Sequence, residues 1–332
     1  MSRNDSESAL QEDHAVASLA RVAVAIPHAY DRDALDQCLR SLEHERAVAE
    51  VAVVAPGDAS NDPVLRRAEA NNQLVTTPTL FTFAGASNLA ARATSAPYVL
   101  FLNDDTVVCP GAVEHLAAAL DRCPDVGVVA PKLLNLDGTL QGSIYHDLGL
   151  RDLVEVTLSQ PILARLDATK HRMRFPRASF PDRPAKVDWA SGAALMIRRD
   201  LFDAIGGFDE KYPHGMEDAA LCKEARRHGL AIVVIPDSVI THAGGTSGYR
   251  SMDPEHLQEA LVRGALSWDH YWMVYRRPFE RVFVWGAFIM LALSRVLTLR
   301  VRSKLTGQKG DSVRAAAYTQ ATKRLLKAWL SA

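Results

Sequence analysis

Residues 98–108 read Tyr-Val-Leu-Phe-Leu-Asn-Asp-Asp-Thr-Val-Val, an apolar run that stops at Asn103-Asp104-Asp105 and then resumes. A short unbroken apolar run of this kind has the pattern of an internal strand buried on both faces. In open α/β sheets the carboxyl ends of such strands are where ligands bind. Adjacent carboxylates repel one another, so two of them at that edge cost stability unless a cation or a set of donors holds them. The residues alone leave two readings open. One is a turn whose short polar side chains lead into the next helix, and the other is a site for a divalent ion and, through it, a phosphorylated substrate. Thr106-Val107-Val108 follows the acids, so they are not themselves that helix's cap.

The surrounding pattern sets the fold class. From residue 21 to 134 apolar strands alternate with helical segments, as in a sheet with helices on its faces. Strands are expected over 22–26, 51–55, 74–76, 99–102 and 126–130. Helices are expected after Asp31, after Asp62-Pro63, and from Pro110, each beginning with residues suited to a helix start. Asp137-Gly138 is a hairpin signal. Residues 150–183 are mixed and basic, and read as a partly mobile excursion. Ordered structure is expected to return at 187–197, strands are expected at 232–235 and 239–241, with a helix from Glu217 to Gly229, and the chain is helical after about Asp253. The first strand ends Ile26-Pro27-His28-Ala29-Tyr30 with no G-x-G-x-x-G, which disfavours a dinucleotide fold of the dehydrogenase kind.

Charge and cysteine usage exclude other classes. The 332 residues carry 38 Lys and Arg against 39 Asp and Glu, a net charge of -1, which argues against a nucleic-acid-coating protein. Cys38, Cys109, Cys123 and Cys222 show no metal or disulfide spacing and read as reduced core thiols of a cytosolic protein. Residues 1–20 are polar, lack the order of a signal peptide, and read as a disordered leader. Oligomeric state is not legible.

Two further clusters carry chemistry. Glu217-Asp218 opens a helix, where the dipole favours acids in any case, and where Asp218 on a rigid element could act as a general base. His242 follows a strand and precedes Ala243-Gly244-Gly245. It reads either as a hydrogen-bonded structural residue or as an imidazole completing the coordination of an ion held by carboxylate, manganese more than magnesium. In the last segment, an apolar block over 282–293 is flanked by Arg276, Arg277, Arg281, Arg295, Arg300, Arg302 and Lys304. At about a dozen residues it is too short to span a bilayer, which takes about twenty. It suits a helix lying on an anionic membrane surface, or an ordinary buried helix with solvated ends.

Taken together and in order, these pieces resemble the family 2 glycosyltransferases, and within them the rhamnosyltransferase-like enzymes of bacterial surface polysaccharides. The likeness rests on Phe-Leu-Asn-Asp-Asp-Thr (101–106), Pro-Lys-Leu-Leu-Asn-Leu-Asp-Gly-Thr-Leu-Gln (131–141), Ser-Gly-Ala-Ala-Leu-Met-Ile-Arg-Arg (191–199), Gly-Gly-Phe-Asp-Glu (206–210) and Glu-Asp-Ala-Ala-Leu-Cys (217–222). The resemblance implies an α/β GT-A fold over 21–250, its nucleotide-binding half at 21–135 and its acceptor half at 136–250, with a helical, membrane-associating region at 251–332. It also implies a nucleotide-diphosphate sugar donor and inverting transfer with a divalent metal (Mn2+ or Mg2+). By position, Asp105 and His242 are the metal residues, and Asp218 is the base of the Glu217-Asp218 pair. Pro27, Asp58, Gly85, Asn88, Asn103 and Asp104 belong to the nucleotide-sugar site, and Trp189, Ser191 and Gly192 to the acceptor and donor-sugar pocket.

The acceptor that the resemblance favours is a glycan or polyprenyl-diphosphate-linked glycan, reached from the cytoplasmic face of the plasma membrane. L-rhamnose from dTDP-rhamnose is the first donor expected, ahead of a UDP-linked galactofuranose or hexose. One stretch departs from the family pattern. Where family members carry Val-Asp-Asn-x-Ser-x-Asp after the second strand, this chain has Val54-Ala55-Pro56-Gly57-Asp58-Ala59-Ser60-Asn61-Asp62. That leaves the nucleobase open and makes a catalytically degenerate assembly scaffold the non-enzyme alternative. A sugar-phosphate nucleotidyltransferase is disfavoured because Pro27-His28-Ala29-Tyr30 supplies no Gly-rich, basic loop.

Overall fold

A computed structural model describes residues 20–28, 31–57, 62–71, 73–78, 82–147, 180–244, 254–307 and 309–330. Residues 1–19, most of the 150–183 segment and Asp58 lie outside them. The described residues fall into two compact units, one drawn from 20–144, 180–209 and 221–243, the other from 145–147, 210–220 and 244–330.

In chain order the elements are β1 (Val22–Pro27), α1 (Arg32–Leu42), β2 (Val48–Pro56), α2 (Pro63–Ala70), β3 (Leu74–Thr77), α3 (Phe83–Arg92), β4 (Tyr98–Leu102) and β5 (Thr106–Val108). They continue with α4 (Ala112–Arg122), β6 (Val126–Leu134), β7 (Ile144–Tyr145), β8 (Ala185–Val187), β9 (Trp189–Ala190), β10 (Ala194–Arg198), α5 (Arg199–Ile205), α6 (Glu217–Arg227) and β11 (Ala231–His242). The helices α7 (Pro254–Tyr275), α8 (Pro278–Thr306) and α9 (Lys309–Leu330) follow.

The first unit is built on one mixed sheet in the order β3-β2-β1-β4-β10-β6-β11-β5, with β8 beside β11. β3, β2, β1 and β4 run parallel, and β11 runs parallel to β6. Antiparallel pairing enters through β10, which lies between β4 and β6, and through β5 and β8 on β11. All five residues of β4 are buried, as its apolar run requires. Strand side chains alternate between faces. Tyr98, Leu100 and Leu102 join the core with Leu35, Leu39, Leu116 and Leu120 of α1 and α4. Phe101, of opposite parity, meets Phe202 at 5.0 Å and Phe208 at 4.8 Å between ring centroids.

The helix starts after Asp31 and Asp62 hold, because each carboxylate accepts a first-turn N–H: Ala34 N at 3.0 Å, and Val64 N at 2.9 Å. The start from Pro110 shifts to Ala112, because Gly111 stands at φ 80° as the cap and has no side chain to offer. The cap is supplied from elsewhere in the chain. Glu45 Oε1 accepts Gly111 N at 2.7 Å and Oε2 accepts Val113 N at 2.8 Å. Residues 232–235 and 239–241 are one strand, β11, with a register break between Ile235 and Val239. Within that break the fully buried Ser238 donates to Ala112 O at 2.8 Å. The Asp137-Gly138 hairpin forms, closed by Asn135 N on Thr139 O at 2.8 Å.

Arg198 ends the buried strand β10, Arg199 opens α5, and the two side chains serve two other helix ends. Arg198 donates to Leu120 O, Cys123 O and Val126 O, the carbonyls around the end of α4. Arg199 donates to Ala91 O at 2.6 Å and Ala96 O at 3.1 Å, just beyond α3. Cations at carboxyl-terminal carbonyls suit the helix dipole. All four cysteines are free; Cys38 and Cys222 are core thiols as expected, whereas Cys123 is exposed.

In the second unit Val262, Ala265, Trp285, Ala321 and Leu325 form a core among α7, α8 and α9. Asp269 of α7 takes a two-pronged bond from Arg281 (2.6 and 2.7 Å) and accepts Trp285 Nε1 at 2.7 Å. Asp311 takes the same kind of bond from Arg302. These two cations, and Arg276 on Asp147, therefore hold the unit together. Among the described residues no helix is long and apolar enough to cross a membrane.

Candidate active site

β4 ends at Leu102, and Asn103 N is still held to Ala193 O at 2.9 Å. The chain then turns tightly. Thr106, fully buried, donates its hydroxyl to Asn103 O at 2.7 Å. Cys38 Sγ lies 3.7 Å from the same oxygen, and burial pushes this thiol up to about 12, so it stays protonated. The turn sends the two carboxylates to different partners.

Asp104 meets His28. β1 and β4 are parallel neighbours, so the residues just past their ends lie side by side. His28 Nδ1 is 2.6 Å from Asp104 Oδ2, and the imidazole is buried. Asp105 meets His242. β5 and β11 pair antiparallel with His242 opposite Thr106, and this register sets His242 Nε2 3.1 Å from Asp105 Oδ1. Asn103 Nδ2 lies 3.2 Å from the same nitrogen, and His242 Nδ1 is 2.7 Å from Gln141 Oε1.

The chemistry of this donor set fits a divalent ion. An imidazole nitrogen and a carboxylate oxygen converge, and the other ring nitrogen is held by a neighbouring acceptor, the usual support of a metal-binding histidine. Among the described residues no group of three His, Cys, Asp or Glu side chains converges. An ion held by these two groups would take the rest of its shell from water or substrate phosphates.

Glu217 and Asp218 lie in the second unit, on the first turn of α6. The backbone before them is unusual, with Gly215 at φ 76° and Met216, a non-glycine residue, at φ 73°. Glu217 is buried, and its Oε2 has no hydrogen-bond partner among the described residues. Burial first and the charge of Asp218 second push Glu217 up to about 8. One acid of the pair thus keeps its proton at neutral pH.

The remaining expected site residues are placed as follows. Pro27 ends β1 immediately before His28. Ser191 N donates to Ser143 O at 2.8 Å, Trp189 is half-buried in β9, and Gly192 is buried between β9 and β10. Gly85 lies in the first turn of α3, its N–H bonded to Thr82 Oγ1 at 3.1 Å. Asn88 carries a packing role: its Nδ2 donates to Phe208 O and its Oδ1 accepts Phe208 N, both at 2.9 Å. Asp58 lies outside the described residues. His28 and Gln141 are the neighbours that sequence reasoning left without a role. Their signal was position, one directly after a strand end and the other directly after a hairpin.

The chain belongs to glycosyltransferase family 2: the model described as "Glycosyltransferase like family 2" matches residues 20–263. Over 146 residues it is 32% identical to an N-acetylglucosaminyl-diphospho-decaprenol L-rhamnosyltransferase of Mycobacterium tuberculosis, a match covering 44% of this chain and 46% of that protein. It is 27% identical over 184 residues to the O-antigen biosynthesis protein RfbC of Myxococcus xanthus, covering 53% of this chain and 13% of the relative. The chain therefore spans less than half the length of these relatives. Its fold matches a mannosyltransferase, PcManGT, from Pyrobaculum calidifontis, solved with GDP-Man and Mn2+. That match has a TM-score of 0.51 at 17% identity, over 92% of this chain and 87% of the other. The architecture is the GT-A fold, with helices after the sheet.

Proposed function

We propose that this chain transfers a sugar, with inversion, from a nucleotide-diphosphate donor to a glycan or polyprenyl-diphosphate-linked acceptor in cell-surface polysaccharide synthesis. The observation that carries the reading is the convergence of Asp105 and His242 at the sheet edge. L-rhamnose from dTDP-rhamnose is the first donor, supported by the name of the mycobacterial relative.

In this reading Asp105 and His242 hold a Mn2+ or Mg2+ ion, which supplies positive charge against the leaving diphosphate. Asn103 and Asp104, with Pro27, Asp58, Gly85 and Asn88, are assigned to the nucleotide side. His28 orients Asp104 through its 2.6 Å contact. Trp189, Ser191 and Gly192 line the pocket for the sugar and acceptor. Asp218 accepts the proton of the attacking acceptor hydroxyl, while protonated Glu217 beside it carries no charge. Two acids whose environments separate their protonation states are the usual arrangement for dividing such roles.

We also place the chain at the cytoplasmic face of the membrane through α8. Phe279, Phe283, Met290, Leu293, Leu297 and Val301 follow one another at helical spacing and are all exposed, from 47% at Val301 to 65% at Leu297. Arg300 and Lys304 interleave with the end of this stripe. An apolar helical face edged by cations suits an anionic lipid surface.

A donor screen by thermal shift tests the enzymatic reading, using dTDP-rhamnose, UDP-galactofuranose and UDP-hexoses with and without Mn2+. A metal-dependent rise with dTDP-rhamnose is expected. A rise confined to UDP-sugars overturns the rhamnose assignment, and no metal-dependent rise with any donor overturns the enzyme.

A further inference from the structure

Gln141 closes the hairpin that begins at Asn135 and points its amide at His242. Its Nε2 lies 2.9 Å from Asn135 Oδ1 and 3.1 Å from His242 O, two acceptors that between them take both N–H bonds. Turned over, the amide would set its own oxygen against two others, so this contact pair determines which end is which.

Asn135 is fixed in the same way. Its Nδ2 donates to Thr139 Oγ1 at 2.8 Å, and the Thr139 hydroxyl donates to Asp137 Oδ1 at 2.5 Å. Asp137 is an ionised carboxylate held below its usual range by the Thr139 hydroxyl bond, so it only accepts. The direction of every bond therefore propagates from Asp137 through Thr139 and Asn135 to Gln141.

Gln141 Oε1 is left facing His242 Nδ1 at 2.7 Å, an acceptor that requires hydrogen on that nitrogen. In the neutral ring, Nε2 then carries the lone pair. The Asn103 amide, whose Nδ2 is 3.2 Å from Nε2, agrees, because a donor faces that lone pair. An imidazole with Nε2 3.1 Å from a carboxylate oxygen would otherwise place its proton there and donate it to Asp105. That tautomer would use up the lone pair a cation needs.

We propose that Gln141 is a positioning residue that holds His242 as the Nδ1–H tautomer, keeping Nε2 and the Asp105 carboxylate turned together towards a divalent cation. The consequence for the cation rests on the metal assignment above, whereas the tautomer is a property of the metal-free protein. Partners of this kind around a metal-binding histidine typically change metal affinity by about 10–100-fold when removed.

Long-range 1H–15N correlation spectra of the 15N-labelled, metal-free full chain test it, with the His242 signals identified by His242→Gln. The wild type is expected to show the Nδ1–H pattern. Gln141→Met, similar in length but without an acceptor, should move His242 to the Nε2–H pattern. It should also weaken Mn2+ binding about 10–100-fold by electron paramagnetic resonance with dTDP or UDP present. Gln141→Glu keeps an acceptor at Nδ1 and should retain the Nδ1–H pattern. An Nε2–H wild type overturns the proposal, as does a folded Gln141→Met that keeps the Nδ1–H form. If Gln141→Met does not fold, the wild-type and Gln141→Glu spectra decide. A wild type that holds the Nδ1–H form yet binds no Mn2+ overturns the metal reading instead, so the two failures read apart.

Discussion

His242 Nε2 stands 3.1 Å from Asp105 Oδ1 because the antiparallel register of β5 and β11 sets His242 opposite Thr106, the residue after Asp105. The contact is a product of strand pairing, so it is rigid before any ligand arrives. Preorganised charge of this kind is commonly the largest catalytic contribution. Asp105→Ala should therefore lower transfer by at least about 10²–10³ and abolish metal-dependent donor binding. Calorimetry of donor binding with and without Mn2+ checks this; intact metal-dependent affinity would remove Asp105 from the metal site.

Asp218→Asn should separate binding from chemistry. Loss of a general base typically costs about 10²–10⁴ in rate. The variant should bind donor as the wild type does and transfer that much more slowly in single-turnover assays. Transfer within a few-fold of wild type would show that another group takes the proton.

Glu217 makes stability depend on pH with a definite sign. Its pKa rises from 4.5 to about 8 on folding, so between those values the folded chain holds a proton that the unfolded chain releases. Its contribution is complete below about 4.5 and is lost as pH rises through about 8. The Tm of the wild type should fall between pH 6 and 9. Glu217→Gln, neutral throughout, should fall less, and parallel curves for the two proteins would contradict the assignment.

Asn88 and Gly207 form a packing unit. A Cβ on Gly207 would lie 2.6 Å from Asn88 Oδ1, and its φ of 85° disfavours any side chain. Gly207→Ala is expected to cost about 1–3 kcal/mol of stability. Asn88→Ala, which orphans Phe208 N and O, should cost about 1–3 kcal/mol for each group left unsatisfied. Urea denaturation measures both; a donor-binding defect in Asn88→Ala at unchanged stability would show that its work is in the nucleotide site and not in packing.

The α8 stripe should bind anionic vesicles. Leu297→Glu with Val301→Glu, both exposed, should leave folding intact and strongly reduce sedimentation with phosphatidylglycerol vesicles. Raising the salt concentration should weaken wild-type binding, because Arg300 and Lys304 contribute through screened charge. Unchanged sedimentation of the double variant would assign the stripe to another partner.

Much of the fold was legible because its signals are local. Asp31 and Asp62 announce helices within three residues, Asp137-Gly138 announces its hairpin, and the apolar block of β4 ends where its polar residues begin. Where the reading slipped, the missing information came from a distant segment. Gly111 has no capping side chain, and Glu45 reaches it across 66 positions. Residues 232–241 looked like two strands because the bulge at Pro236-Asp237-Ser238 breaks the apolar run, although the backbone pairs with β6 on both sides of it. The bonds of Asn88 to the Phe208 backbone, 120 positions away, were likewise not visible in its local sequence.

For the site, the sequence by itself determined that Asn103-Asp104-Asp105 stands at a buried strand end, since hydrophobic pattern and residue type are properties of single segments. Tertiary structure decided how the adjacent acids divide, Asp104 to His28 and Asp105 to His242, and which nitrogen of His242 Gln141 holds. These outcomes depend on register between strands, and register between segments 139 positions apart, as Asn103 and His242 are, is set only when the sheet closes.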